Sequence, residues 1–333
     1  MALPWPIRIA GVGRYLPERV VTNAEIATLC DVPVEWIEDH CGVRERRWAE
    51  PELGETNSWM AAQAINEALE EAEFDGRSLD LIINASGTTE QMIPDGGPLI
   101  QRQLGLEDTA IPCVSVHSTC LSFLQGLQMA GALLTAGTHS KIALVSSEIA
   151  SIGLEGAERE TPSLFGDAAA AAILTSSAEG SSQFESIRFE TYGAAAHLTE
   201  VRGCGSRRPP NHPDTVPADH VFHMDGPAIL QFCLDRTEGF LERLVPGLSQ
   251  ELGDIDIVVP HQPSRVGLQA MFNRPWPEAA RVDTLATLGN MVAAGIPVNL
   301  YEAVHLGKLT RGSRALLWGL GAGVSFGGAV ITY

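Results

Sequence analysis

Residues 121–136 restrict the fold of this chain more than any other feature, because the helix they would form is apolar on nearly every side. Val114 and Val116 before them belong to a short strand, and residues 141–146 after them have the pattern of another strand. A helix without a polar face cannot lie against water, so other layers must cover it. The segment therefore predicts a central helix inside a layered α/β protein.

The same alternation of strand and helix continues along the chain. Further strand patterns occur at 7–13, 79–85, 185–191, 255–259, 315–319 and 324–332. Helix patterns occur at 24–30 with Asn23 as its cap, 59–72, 98–104, 228–244 and 298–306. We therefore expect two halves, 1–176 and 177–333, with a layered α/β architecture. Residues 202–217, rich in Gly, Arg, Pro and Asn, are expected to form a surface loop.

Charge and cysteine pattern limit the possible partners. Acidic residues outnumber basic ones by 41 to 22, giving a formal net charge of -19, so neither nucleic acid nor an anionic membrane is expected as a partner. The N-terminus has no basic region followed by an apolar run, and no stretch reaches about 18 apolar residues, so we expect a soluble cytoplasmic protein. The six cysteines form no CxxC pair and the nine histidines no HExxH, so neither a disulfide framework nor a metal site is predicted.

A candidate nucleophile lies at the start of the apolar helix. The sequence VSVHSTCL at 114–121 runs from a strand through small polar residues into the thiol of Cys120. A thiol is nucleophilic only as the thiolate, and the N–H groups and dipole at a helix N-terminus lower the pKa of a thiol placed there. The alternative is that Cys120 serves as a small buried apolar residue, which is the role of most free cysteines.

Two further polar side chains, His261 and Asn290, are candidates for contact with a ligand. The strand at 255–259 leads through Pro260 to His261 at its carboxyl end. Asn290 lies among small residues in LGNMVAAGIP at 288–297, and its amide N–H is able to donate to a substrate oxygen. Each also has a structural interpretation, as a buried histidine with one hydrogen bond or as a helix cap.

In the order Cys, His, Asn, these residues match the condensing enzymes of the thiolase superfamily. Along nearly all its length the chain resembles the 3-oxoacyl-ACP synthase III family. The matching segments are EWI (35–37), GVRER (42–46), the Cys120 turn, FGDAA (165–169), VPHQ (259–262), GN (289–290) and GLGAGVSFG (319–327). The resemblance implies a thiolase-like α-β-α-β-α fold of five layers, built from two duplicated halves, and a homodimer.

The resemblance also implies an activity. An acyl group would pass from an acyl-CoA to Cys120, and malonyl-ACP would then lose CO2 and condense with it to a 3-oxoacyl product. His261 and Asn290 would hold the enolate oxygen, while the backbone N–H groups of Cys120 and Phe326 would form the oxyanion hole. Acyl carrier protein and acyl-CoA are the implied partners, with no permanently bound cofactor and no metal.

For substrate binding, the resemblance implies that Trp36 stacks on the adenine of CoA and that Arg159 pairs with a phosphate. A core tryptophan and a solvated arginine are the structural alternatives. Ser264 belongs to the same predicted binding set, and His40 stands where the family often has a second arginine. Ile93 is expected to reach the acyl pocket of the other subunit, where a residue smaller than the family's frequent Phe would admit a longer or branched chain.

Three other functions share part of this residue pattern. Papain-like cysteine hydrolases also present Cys, His and Asn in this order, but the residues around their thiol differ from those here. A non-catalytic synthase subunit commonly lacks the thiol. The main alternative is a specialised relative of secondary metabolism that uses a non-standard acceptor. His40 and the alanine run at 168–172 depart from the family pattern, so this alternative stays open. The pair of His261 and Asn290 favours condensation, because both donors serve an enolate.

Overall fold

The computed structural model describes residues 4–152, 154, 159–177 and 181–333. Within these residues the strands are β1 (Ile7–Tyr15), β2 (Val20–Thr22), β3 (Glu45–Arg47), β4 (Leu81–Asn84), β5 (Cys113–Ser115), β6 (Lys141–Glu148), β7 (Ala168–Ser176), β8 (Gln183–Thr191), β9 (Thr199–Glu200), β10 (His223–Met224), β11 (Ile257–Pro260), β12 (Arg314–Gly321) and β13 (Ser325–Thr332). The helices are α1 (Asn23–Cys30), α2 (Val34–Cys41), α3 (Asn57–Glu71), α4 (Gly96–Gln103), α5 (Ser122–Thr135), α6 (Glu160–Leu164), α7 (Gly226–Leu244), α8 (Arg265–Phe272), α9 (Leu285–Leu288) and α10 (Gly295–His305).

Two mixed sheets form the framework. The larger sheet has the strand order β1-β7-β6-β4-β5, and the smaller has the order β11-β12-β13-β8. In the larger sheet β4 runs parallel to β5 and β6, whereas β7 is antiparallel to both β6 and β1. In the smaller sheet β11 is parallel to β12, and the other pairs are antiparallel. Every predicted strand and helix is present, with ends displaced by a few residues.

Helices cover both sheets and fill the space between them. Helices α5 and α10 lie between the two sheets, where Leu127 and Leu300 share one core with residues of β6 and β12. Helices α3 and α4 cover the other face of the larger sheet, and α7 and α8 cover the other face of the smaller one. The order is therefore helix, sheet, helix, sheet, helix. The prediction of a central apolar helix is confirmed, since Phe123, Leu124 and Leu127 of α5 are fully buried.

The alanine run at 168–172 has a packing explanation. It forms the first part of β7, the strand between β1 and β6, and its members are essentially fully buried. Ala169 and Ala171 face the core beneath α3, while Ala168 and Ala170 pack with Val298 of α10. Helices press on both faces of this strand, so only small side chains fit between them.

The predicted cap of α1 is wrong by one residue. Thr22 is the N-cap, and its hydroxyl accepts the N–H of Glu25 at 3.4 Å. Asn23 is the first helical residue and is buried, where its amide donates to the carbonyl of Val43 and its oxygen accepts from Arg46, each at 2.8 Å. Both neighbouring residues are of capping type, and only tertiary contacts distinguish them.

The loop at 202–217 and the character of the helices agree with the sequence. Residues 202–217 contain turns and neither an α-helix nor a strand, as predicted for a loop. Among the helices of the described residues, none is long and apolar enough to cross a membrane.

Candidate active site

Cys120 lies in a tight turn between β5 and α5. Residues Thr119–Leu121 form one turn of 3-10 helix, and α5 begins directly after it. Thr119 has a φ of 49°, a left-handed conformation that costs a β-branched residue about 1–3 kcal/mol. The Ser122 hydroxyl holds the turn, because it accepts the N–H of Ser118 at 2.9 Å and donates to the carbonyl of Thr119 at 2.7 Å. The turn thus fixes the direction of the thiol.

The surroundings of Cys120 oppose the thiolate. Burial, and then the nearby carboxyl of Glu148, raise the pKa of the Cys120 thiol to about 12. The backbone N–H groups of Cys120 and Ala322 act in the other direction and lower this pKa. The expectation of a lowered pKa is therefore wrong, because the loss of water outweighs the N–H groups of the turn.

His261 follows β11 and is only 2% exposed. Its N–H donates to the carbonyl of Trp318 at 2.9 Å, which extends the parallel pairing of β11 with β12 by one residue. Gly319 lies opposite, and a methyl group there would come 2.5 Å from the Cβ of His261. Burial lowers the pKa of His261 to about 4, so the ring is neutral at physiological pH. Its Nδ1 is enclosed without a hydrogen-bond partner among the described residues.

Asn290 is fixed by its backbone and by both ends of its amide. The N–H of Asn290 donates to Leu164 at 2.9 Å, and its carbonyl accepts from Gly166 at 3.1 Å. The side-chain oxygen accepts the N–H of Val292 at 2.9 Å, and Nδ2 donates to the carbonyl of Pro263 at 3.2 Å. The amide therefore braces the following turn, Val292–Ala294, and is tied to the segment that carries His261.

The elements that carry these three side chains meet at one place. The Cys120 turn packs against both β12 and the turn Val292–Ala294. A methyl group at Gly319, beside His261, would also lie 3.4 Å from Leu121. A methyl group at Gly321 would come 2.9 Å from the hydroxyl oxygen of Thr119. Cys120, His261 and Asn290 thus lie in a shared, largely buried region between the two sheets.

Phe326 does not occupy the position predicted for it. It lies inside β13, where it pairs with Leu320 of β12 and Glu190 of β8, and its ring is buried in the core beneath α7. A strand paired on both sides uses its N–H groups in the sheet, so the N–H of Phe326 does not face Cys120. Ala322, in the turn between β12 and β13, provides the N–H that reaches the sulfur.

The predicted CoA residues form a stack. The Arg159 guanidinium lies 4.6 Å from the centre of the Trp36 ring. The His40 ring stacks on Trp36 at 4.5 Å with an angle of 23° between the planes. Trp36 is half-buried and Arg159 exposed, while residues 155–158 before Arg159 lie outside the described residues. Trp36 is therefore not a core tryptophan, and Arg159 is not an arginine surrounded only by solvent.

Ser264 and Ile93 lie in different settings. Ser264 caps α8, since its hydroxyl accepts the N–H of Gly267 at 3.2 Å, and it stands three residues after His261. Ile93 is 89% exposed on the surface of the single chain, next to the exposed Met92. The structure therefore brings Ser264 near the His261 segment, whereas it leaves Ile93 outside the site of its own chain.

Similarity to known proteins extends over nearly the whole chain. Residues 115–193 match the family model described as 3-oxoacyl-[acyl-carrier-protein (ACP)] synthase III, and residues 249–333 match the model of its C-terminal part. The beta-ketoacyl-[acyl-carrier-protein] synthase III of Symbiobacterium thermophilum is 32% identical over 98% of each chain. That of Syntrophomonas wolfei is 30% identical over 98% of this chain and 97% of its own. The crystal structure of the Thermus thermophilus synthase III covers 98% of each chain with a TM-score of 0.85 and 29% identity.

Proposed function

The chain belongs to the 3-oxoacyl-ACP synthase III family and is a β-ketoacyl-ACP synthase III condensing enzyme, and on that premise we propose which residues carry the reaction. Cys120 is the nucleophile. His261 and Asn290 are the donors to the enolate, and the N–H groups of Cys120 and Ala322 form the oxyanion hole. The observation that carries this proposal is the contact of the Cys120 turn both with β12, which lies beside His261, and with the turn Val292–Ala294, which Asn290 braces.

In the first half-reaction an acyl-CoA is the proposed donor. The Cys120 sulfur attacks the thioester carbonyl, the C–S bond to CoA breaks, and the thiol proton leaves with CoA as its free thiol. The N–H groups of Cys120 and Ala322 hold the tetrahedral oxyanion. Each such donor is worth about 3 kcal/mol of transition-state stabilisation. The acyl group remains on Cys120 as a thioester.

In the second half-reaction malonyl-ACP loses CO2, and its enolate carbon attacks the acyl-Cys120 carbonyl. The C–S bond to Cys120 breaks, and one proton from solvent restores the thiol. The enolate oxygen accepts from Nε2–H of His261 and from Nδ2 of Asn290. Nδ2 carries two hydrogens, and its bond to Pro263 uses one of them. The lowered pKa of His261, caused by burial, supports a neutral donor rather than a charged one.

Binding of the two thioesters is proposed at the edge of this site. Trp36 stacks on the adenine of CoA and Arg159 pairs with a phosphate, which requires the guanidinium to leave the indole face that it covers in the free chain. Ser264 lies on the approach to His261. Acyl carrier protein delivers the malonyl group. All steps use side chains, backbone N–H groups and the two substrates, so no permanently bound cofactor or metal takes part.

We also propose a homodimer in the cytoplasm. Strand β5 lies at an edge of the larger sheet, and residues 88–94 carry the exposed Met92 and Ile93. These features favour pairing with a second copy, with Ile93 entering its acyl pocket. Each of the six cysteines is a thiol, as is usual in a reducing compartment. The alternative of a specialised acceptor is not favoured, because synthase III relatives match over the full length of the chain.

Substitution of the two enolate donors tests the proposal. His261→Ala and Asn290→Ala are expected to accept an acyl group on Cys120 at near wild-type rates but to lose condensation with malonyl-ACP by about 10²–10³-fold. His305→Ala is a matched control, because His305 lies at the exposed end of α10 and contacts Tyr301. Wild-type condensation by either of the first two variants would exclude its residue from the enolate site.

A further inference from the structure

A buried carboxyl group beside Cys120 has no part in the steps above. Glu148 ends β6 and is fully buried, with no ion pair in the part of the chain that the structure describes. Its Oε1 accepts the N–H of Gly87 at 2.5 Å, and its Oε2 accepts the N–H of Thr88 at 2.8 Å. The Thr88 hydroxyl in turn accepts the N–H of Ile149 at 3.1 Å, the residue after Glu148. The carboxyl group therefore clamps the backbone at residues 87–88.

Residue 87 touches both catalytic turns. A methyl group at Gly87 would come 2.9 Å from Cγ1 of Val292 and 3.4 Å from the carbonyl oxygen of Thr119. Thr119 precedes Cys120, and Val292 is the residue whose N–H binds Asn290. Both are β-branched residues in the left-handed region, with φ of 49° and 50°. Such strain persists only where the surroundings hold it, and Gly87 lies against both positions.

Glu148 also acts on Cys120 electrostatically. Burial raises the pKa of Glu148 to about 8, and the charge of Asp167 raises it by a smaller amount. The donors at Gly87 and Thr88 lower this pKa but do not outweigh burial. It therefore ionises before Cys120, and its charge then opposes the thiolate. Among the described residues, the titratable His117 also faces this clamp, since its Nε2 contacts the Gly87 carbonyl at 3.2 Å.

We propose that Glu148 is a positioning residue of the condensation: through Gly87 and Thr88 it braces the turns of Cys120 and Asn290, and once ionised it places a negative charge beside Cys120 that opposes the thiolate. This inference rests on the proposed role of Cys120. The clamp also fixes the first residue of the 88–94 segment, so the same carboxyl group connects the proposed subunit contact with the nucleophile.

The test separates charge from bracing by two substitutions. Glu148→Gln removes the charge and turns an amide N–H toward one of the two backbone donors. Glu148→Asp keeps the charge but shortens the side chain, which breaks the clamp. Alkylation of Cys120 by iodoacetamide is followed against pH by peptide mass spectrometry, with Cys120→Ala as the background. Condensation is measured with acyl-CoA and malonyl-ACP. Glu185→Gln, on the smaller sheet beside Arg314, is the matched control.

We expect Glu148→Gln to shift the plot of Cys120 alkylation rate against pH by about one unit toward lower pH. At a fixed pH above 8 this shift corresponds to a reaction about ten-fold faster. Condensation falls by at least about ten-fold in both variants, whereas Glu148→Asp keeps the wild-type alkylation profile. An unchanged profile for Glu148→Gln, or wild-type condensation by Glu148→Asp, overturns the proposal.

If Glu148→Gln does not fold, Glu148→Asp decides alone. Reduced condensation with an unchanged profile supports the proposal, and wild-type condensation overturns it. Alkylation needs no acyl donor. A failure of Cys120 to accept any acyl group would therefore overturn the proposed function and remain distinct from these outcomes.

Discussion

The Thr119 hydroxyl contacts the carbonyl oxygen of Ala322 at 3.4 Å, so the turn between β12 and β13 meets the nucleophile turn before α5. The backbone N–H of Ala322 there lowers the pKa of the Cys120 thiol and is the proposed second oxyanion donor. Proline has no N–H, and Ala322→Pro therefore removes one oxyanion donor while leaving Cys120 in place. We expect acylation of Cys120 to slow by about 10²–10³-fold, measured by single-turnover transfer from acyl-CoA. Ala322→Gly keeps the N–H and is the control. Equal acylation rates for the proline and glycine variants would remove Ala322 from the oxyanion hole.

The second prediction concerns the pH dependence of condensation. Burial lowers the pKa of His261 to about 4, so the ring gains its charge only below that pH and is a neutral donor throughout the range above it. Decarboxylation of malonyl-ACP by pre-acylated enzyme is therefore expected to stay nearly constant from about pH 7 to pH 5, without the inflection of an ordinary histidine at about 6.5. A loss of most of the rate between pH 7 and 6 would contradict a buried neutral His261.

The third prediction compares two glycines that face His261. A methyl group at Gly319 would come 2.5 Å from His261 Cβ, whereas one at Gly295 would lie 3.5 Å from Nδ1, an ordinary contact. Gly319→Ala must displace the imidazole or β12 and is expected to cost about 1–3 kcal/mol of stability and to lower condensation by about ten-fold or more. Gly295→Ala, at the start of α10, is expected to remain close to wild type. Urea unfolding and turnover assays check both, and similar behaviour of the two variants would argue against this packing.

The fourth prediction concerns chain length. Ile93 is exposed in the single chain and is proposed to line the acyl pocket of the other subunit. Ile93→Phe fills more of that pocket, so kcat/KM for long or branched acyl-CoAs is expected to fall by about ten-fold while that for acetyl-CoA changes little. Met92→Phe enlarges the neighbouring exposed residue and serves as the control. A uniform change over all chain lengths would place Ile93 outside the pocket.

Sequence patterns predicted the framework well because the decisive signals are local. The apolar segment at 121–136 required cover on all sides, and β11 ends at Pro260, directly before His261, where its apolar run ends. The division into two halves between residues 176 and 177 stays a prediction. The roles of Cys120, His261 and Asn290 stay predictions until they are measured.

The features of the site that the sequence did not predict depend on tertiary contacts or on backbone N–H groups. Ala322 acts through its N–H, which any residue except proline carries, so its identity gave no signal; only the glycine-rich segment 319–327 marked the region. Glu148 follows Ser146 and Ser147 at the carboxyl end of β6, and a carboxyl group at the end of a strand with an apolar centre was an available signal. The pKa of Cys120 depends on how completely the site excludes water, which no local pattern records.

The most direct measurement is the intact mass of the protein after incubation with a panel of acyl-CoAs and then with malonyl-ACP, for wild type and Cys120→Ala. We expect an acyl adduct on wild type alone, followed by its discharge with release of CO2 and formation of 3-oxoacyl-ACP. An adduct of equal yield on Cys120→Ala, or condensation without any covalent adduct, would contradict Cys120 as the acyl carrier.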